Sequence, residues 1–209
     1  MPSIQKDFRL RNRDIAELQS LAPKYLAGLA GEYWKFRMPL SLQDAAHFID
    51  NQWKARMSLS CSAIESIFSS QTQDHEHSGG RLVKARIKWF LGENTSIYAP
   101  GDVPSFVLRG KEPTIGNVLD DLYDVRNFLA HGDRVPDKYF SQFSHSAGYT
   151  TTETNQLAVL EEAASFIVRA SLIKMLQDDL LENFKGGPES QAYFTKYGLV
   201  NSRLATSNP

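Results

Sequence analysis

Cysteine is almost missing from this chain: Cys61 stands alone among 209 residues. An internal disulfide is therefore excluded, as is a thiolate metal cluster built within one chain. Cys61 itself falls on an apolar helical stripe and reads as a core thiol rather than a reactive one. An excess of charge is missing too. The net charge is −1, so no global basic surface advertises nucleic acid, and any RNA contact has to come from a local patch. No stretch approaches the roughly 18 apolar residues of a membrane span, and no basic segment leads into an apolar run at the N-terminus. These absences predict a cytoplasmic protein without a membrane partner. Alternating strand patterns are scarce, no internal repeat is visible, and neither a Gly-rich nucleotide loop nor a Gly-x-Ser-x-Gly elbow occurs.

What is present is helical periodicity. The composition, 42% hydrophobic and 11% aromatic, is enough for a real core. Residues 1–40 read as a mixed N-terminal extension. Pro23, Gly28 and Gly31 interrupt its apolar spacing, and Glu32-Tyr33-Trp34-Lys35-Phe36 is open between a short strand and a tucked aromatic arm. From Ser41, taken as an N-cap with Asp44 three positions on, apolar residues recur from Leu42 through Ile49, Trp53, Met57, Cys61 and Ile64 to Phe68. That predicts one continuous helix of about seven turns. A breaker-rich loop at 69–80 precedes a second helix at 81–91, with Leu82, Ala85 and Trp89 on one side and Arg81, Lys84, Arg86 and Lys88 around the others.

Loop chemistry at 92–113 leads to Thr114, which caps a third helix ending at Gly132, a residue suited to the left-handed position past a helix end. After a loop at 133–152, a fourth helix is expected from about 153 to 184, stopped by Gly186-Gly187-Pro188, with a short turn through Tyr193 and Tyr197 in a tail at 185–209. Four helices joined by substantial loops, two of them about 30 residues long, predict an all-α bundle over 41–184.

The third helix ends in Asp124-Val125-Arg126-Asn127-Phe128-Leu129-Ala130-His131-Gly132. An arginine can hold a phosphate, and a histidine can move a proton near neutral pH. Together these are the capacities needed to cleave RNA without a metal. Asn127 and His131 are four apart and share a helix face, whereas Arg126 points about 140° away from His131 on an ideal helix. The spacing suits a site shared between two copies across a two-fold axis. On spacing alone, solvated or helix-capping side chains are the commoner reading of such a set.

Arg126-Asn127-Phe128-Leu129-Ala130-His131 resembles the Arg-x4-His signature of the HEPN superfamily, and the wording around it is similar to the Apea-like HEPN group. Cys61-Ser62-Ala63-Ile64-Glu65-Ser66-Ile67-Phe68 resembles an earlier helix motif of the same group, with Glu65 at its acidic position. The resemblance implies a helical bundle that dimerises around both signature motifs and acts as a metal-independent endoribonuclease, in a toxin, abortive-infection or stress and defence role. Arg126 and His131 are then the catalytic pair, with Asn127 as an orienting or phosphate-contacting group and Glu65 as a supporting one. RNA is the implied substrate or ligand, a homodimer the implied assembly, and no cofactor is implied. Other members of the superfamily are non-catalytic binding or interaction modules, some of them partners of nucleotidyltransferase-type antitoxins, and that alternative stays open.

Remaining candidates are weaker. Arg81, Lys84 and Lys88 can track an RNA backbone or form an ordinary solvated face, and Tyr123 can stack on a base or bury in the bundle. Asp74-His75-Glu76-His77 holds metal-ligand residue types but reads as a solvated loop without preformed geometry, so no metal site is expected. His47 and His145 are single histidines with no visible partner.

Overall fold

A computed structural model describes residues 12–49, 52–69, 79–98, 112–136, 139 and 155–200. Among them lie seven α-helices: α1 (Asn12–Ala30), α2 (Trp34–His47), α3 (Trp53–Phe68), α4 (Gly79–Leu91), α5 (Ile115–His131), α6 (Asn155–Gln177) and α7 (Gly187–Thr195). A 3-10 turn, Leu181–Phe184, lies between α6 and α7. The described residues contain no strand, only an isolated antiparallel bridge between Ser96 and Thr114 that ties the segment after α4 to the start of α5. The architecture is all-α, as the periodicity predicts.

The expected long helix from Ser41 to Phe68 is instead a hairpin, α2 and α3. Ser41 is no N-cap: it sits inside α2, where its Oγ donates to the Arg37 carbonyl at 3.2 Å. Helical geometry stops at Phe48 and resumes after Gln52, and α2 packs along α3 more extensively than any other described pair. Folding back puts Phe36 of α2 in one buried core with Met57, Ile64 and Phe68 of α3, which one straight rod cannot achieve. Glu32–Phe36 is accordingly not a strand but the entry into α2, with Phe36 tucked into the core. Ahead of it, α1 continues through Pro23 and lies on α2 and α6. A Cβ on Gly28 would fall 2.8 Å from the Phe36 ring, so the missing side chain is what allows that close approach.

The last long helix is shorter than expected. It ends at Gln177, where Asp179 takes a left-handed φ of 55° and the Leu180 N–H donates to the Met175 carbonyl at 2.8 Å. That six-to-one bond is a Schellman closure on a non-glycine residue. Gly186-Gly187-Pro188 then opens α7 rather than ending a helix, with proline in the first turn where no N–H is required.

The core contains Ile64, Phe68, Ile87, Leu119, Leu122, Leu160, Ile167, Met175, Phe184 and Phe194. Two cations are buried in it. Lys35 Nζ donates to the carbonyls of Ser66 and Ile67, each at 3.1 Å, and to that of Ser69. Arg86 donates from Nη1 to the Phe68 carbonyl at 2.7 Å, from Nε to Leu199 at 3.1 Å and from Nη2 to Gln191 Oε1 at 3.1 Å. Its guanidinium carbon lies 4.7 Å from the centre of the Phe194 ring. The carbonyls that the last turn of α3 would leave without partners are thus met by α2 and α4. Trp89, expected inward with Leu82, is instead 41% exposed and stacks on Tyr197 at 4.2 Å, while Arg86 occupies the inward register.

Removing the Lys35 ammonium leaves buried carbonyls without donors. Lys35→Met is expected to lower stability by about 2–4 kcal/mol, whereas Lys84→Met, at a solvated pair, costs about 0–1 kcal/mol. Urea unfolding followed by circular dichroism compares the two. Equal midpoints would show that Lys35 does not hold α3.

Candidate functional site

Helix α5 carries the Arg-Asn-His segment and is fixed at both ends by local chemistry. At its start, Thr114 is extended and its Oγ1 accepts the Asn117 N–H at 3.4 Å. At its end, Gly132 adopts φ 71°, and the Asp133 N–H donates to the Phe128 carbonyl at 2.8 Å. Both termini lie where the sequence puts them. Ile115, Val118, Leu119, Leu122 and Val125 bury one face against α3, α4 and α6. Asp120, Asp124, Asn127, Ala130 and His131 are exposed on the other.

Arg126 lies on the border between these faces and reaches across to α3. Its Nη2 is 2.9 Å from Glu65 Oε1 and 3.2 Å from Oε2. Its Nη1 donates to Asn127 Oδ1 at 3.2 Å. With side-chain exposures of 32% for Arg126 and 18% for Glu65, the pair lies at the edge of the core and remains reachable from solvent. Nε has no partner among the described residues, so the guanidinium keeps donors for a second anion. Asp124 accepts a hydrogen bond from the Tyr139 hydroxyl at 2.9 Å, which anchors the chain beyond Gly132 back onto α5.

Two buried groups lie next to the ion pair. Burial, followed by the Glu65 carboxylate, pushes the Cys61 thiol from 9.0 up to about 12, with Arg126 pulling the other way. Burial and then Glu65 and Cys61 also drive Tyr123 well above its ordinary value, again against Arg126. Both stay protonated at neutral pH. The Tyr123 ring is buried and its hydroxyl has no hydrogen-bond partner among the described residues, so of the two readings of Tyr123 it is burial in the bundle that holds.

Of the residues singled out in the sequence, the structure brings Arg126, Asn127 and Glu65 into one hydrogen-bonded group. His131 stands apart on the last turn of α5, exposed, with no hydrogen bond or ion pair among the described residues. On α4, Arg81 is exposed, Lys84 pairs with Asp120 at 2.7 Å and Lys88 with Glu93 at 3.1 Å. Two of the three candidate RNA-contacting cations therefore already have a carboxylate. No group of three or more metal-ligating side chains forms among the described residues. Asp74-His75-Glu76-His77 and His145 lie outside them. No described helix is long and apolar enough to cross a membrane.

The sequence reading missed the buried pair Lys35 and Arg86. For Arg86 a signal exists: it falls in register with Leu82, Val83, Ile87 and Phe90, on the buried stripe. Lys35, beside Phe36 in an aromatic run, has no comparable signal.

Two consequences are measurable. The folded thiol is neutral and closed off, so alkylation of Cys61 by iodoacetamide at about pH 8 should follow global unfolding rather than proceed in the native protein. Because folding raises this pKa, the thiol's contribution to stability is complete below 9.0 and is lost as pH climbs toward about 12. Rapid labelling of the folded chain would contradict the burial. Gly132→Ala meets no atom within 4 Å. It should nevertheless cost about 1 kcal/mol through the left-handed backbone alone, read from the thermal midpoint, and an unchanged midpoint would refute that strain.

No family model matches this chain, and no curated protein or solved structure matches it.

Proposed function

We propose that the exposed end of α5 is half of a metal-independent endoribonuclease site of HEPN type, completed by the same helix of a second copy. One observation carries this reading: the Arg126–Glu65 contact at 2.9 Å. It joins the two segments whose wording resembles the HEPN motifs, although 61 positions separate them in the chain. Asn127 belongs to the same hydrogen-bonded group, and His131 follows one turn later on the open side of the helix.

In this mechanism the RNA lies across the helix end with one phosphate against the remaining N–H donors of Arg126. An imidazole takes the proton of the ribose 2′-hydroxyl, and the oxygen attacks the adjacent phosphorus. The O2′–P bond forms as the P–O5′ bond breaks, and the 5′ oxygen receives a proton as it leaves. The products are a 2′,3′-cyclic phosphate and a 5′-hydroxyl. Arg126 stabilises charge on the non-bridging oxygens. Glu65 holds the guanidinium in place and Asn127 limits its swing. The separation of His131 from the Arg126 group within one chain supports a site in which the partner's helix supplies the second motif.

The ion pair also favours a second reading. Glu65 already neutralises Arg126, which suits a non-catalytic module that binds RNA or a protein such as an antitoxin. Cleavage separates the two. With a labelled RNA in EDTA, the native chain should cut, and Arg126→Ala and His131→Ala should each lose about 10²–10⁴-fold. An equal mixture of the two variants should recover activity that neither has alone, up to about half of native, because half the dimers then combine an intact Arg126 with an intact His131 from the other copy. RNA binding by the native chain without cleavage would support the module, and undiminished cleavage by either variant would remove that residue from the mechanism. If the role is that of a toxin, expression arrests growth and His131→Ala relieves the arrest.

A further inference from the structure

Helices α2, α3 and α6 surround an open cleft of about 380 Å³. That is within the range of small-molecule sites. Each helix contributes residues one turn apart: Gln43 and His47 from α2, Arg56 and Ser60 from α3, Ser165 and Arg169 from α6, with Glu161 and Glu162 beside them. Among the described lining residues Ala46 is the one hydrocarbon side chain, and the His47 imidazole is the one ring. Such walls cannot solvate an acyl chain.

The groups that remain open define the ligand. Arg56 and Glu161 satisfy one another through a two-pronged contact, both distances 3.2 Å, and Arg56 Nη1 also reaches the Ile49 carbonyl. Glu162 accepts the Tyr98 hydroxyl on Oε2 at 2.6 Å, which leaves Oε1 open. Ser165 donates to Gln43 Oε1 at 3.2 Å, and Gln43 Nε2 is shut away from solvent, out of a ligand's reach. Ser60 is a buried serine without a hydrogen bond among the described residues. Arg169 is exposed and no carboxylate pairs with it among the described residues.

The open capacity is therefore the Arg169 guanidinium on α6, the Ser60 hydroxyl on α3 and the exposed His47 imidazole on α2, with a free Glu162 carboxylate oxygen as acceptor. Donors converging from separate helices suit a tetrahedral oxyanion better than a flat carboxylate. The open carboxylate oxygen and the polar walls suit hydroxyl groups.

We propose that this cleft binds a small phosphorylated polyol of the sugar-phosphate class, its phosphate on Arg169, Ser60 and His47 and its hydroxyls on Glu162. The site is separate from the Arg126 group and does not depend on the ribonuclease reading.

Isothermal titration of the full chain tests it with ribose 5-phosphate, glucose 6-phosphate, glucose, inorganic phosphate and AMP. A sugar phosphate should bind at least about tenfold more tightly than glucose or inorganic phosphate. Arg169→Ala, a surface change whose fold is checked by circular dichroism, should weaken that binding by about tenfold or more. His131→Ala should leave it unchanged, which separates this cleft from the RNA site. Absence of saturable binding at millimolar sugar phosphate overturns the proposal, as does an affinity indifferent to Arg169→Ala. Tighter binding of AMP than of ribose 5-phosphate overturns the ligand class.

Discussion

The C-terminal end of α3 is the point on which the arrangement of this molecule depends. A helix end carries carbonyls without partners and a partial negative charge, and here that end is inside the protein. Left bare, it would be untenable. Lys35 from α2 and Arg86 from α4 enclose it, taking the carbonyls of Ser66, Ile67, Phe68 and Ser69 between them. Arg86 then continues to Gln191 and Leu199, so the segment containing α7 is fixed to the same centre. Glu65 is the residue just before the first of those carbonyls. Its position against Arg126 is inherited from the cap, which links a structural device in the core to the geometry at the exposed end of α5.

What could be read in the sequence follows the range of the interactions. The termini of α5 are set by residues within a turn of each end, Thr114 and Gly132, and both are legible. The apolar stripes of α3 and α6 are legible for the same reason: Met57, Cys61, Ile64 and Phe68, like Leu160, Ala164, Ile167 and Met175, recur at helical spacing and are buried. The break between α2 and α3 was not legible. No proline or glycine marks it, and it exists because the two halves pack on each other. The end of α6 was hidden differently, since Asp179 adopts a backbone conformation that sequence reasoning reserves for glycine or asparagine.

The candidate site divides along the same line. Arg126, Asn127 and His131 were visible as a cluster because they are neighbours in sequence. Glu65 came from a resemblance, and no pattern in this chain alone connects it to Arg126. The contact depends on how α3 and α5 cross. The polar cleft between α2, α3 and α6 gave no linear signal, because its residues are ordinary surface types on three helices and become a set only when the hairpin closes. Tyr123, open in the sequence between base stacking and burial, lies inside because α5 turns that face to the core.

The bonds from Arg86 to Gln191 and Leu199 also constrain the order in which the molecule can be made. Lys24 reaches the Leu176 carbonyl at 3.0 Å, and the Trp34 N–H donates to the Lys185 carbonyl at 2.9 Å, so the opening helices are fastened by residues translated more than a hundred positions later. On the ribosome, α2, α3 and α4 can form and collapse, yet one of the two cations at their shared centre lacks its other partners until the last fifth of the chain emerges. The apolar surfaces that α6 and α7 cover are therefore open until those helices are made. Chains with such long-range closures fold slowly relative to their helix content, and this one carries its exposure to misassociation in the interval before its C-terminal segment arrives.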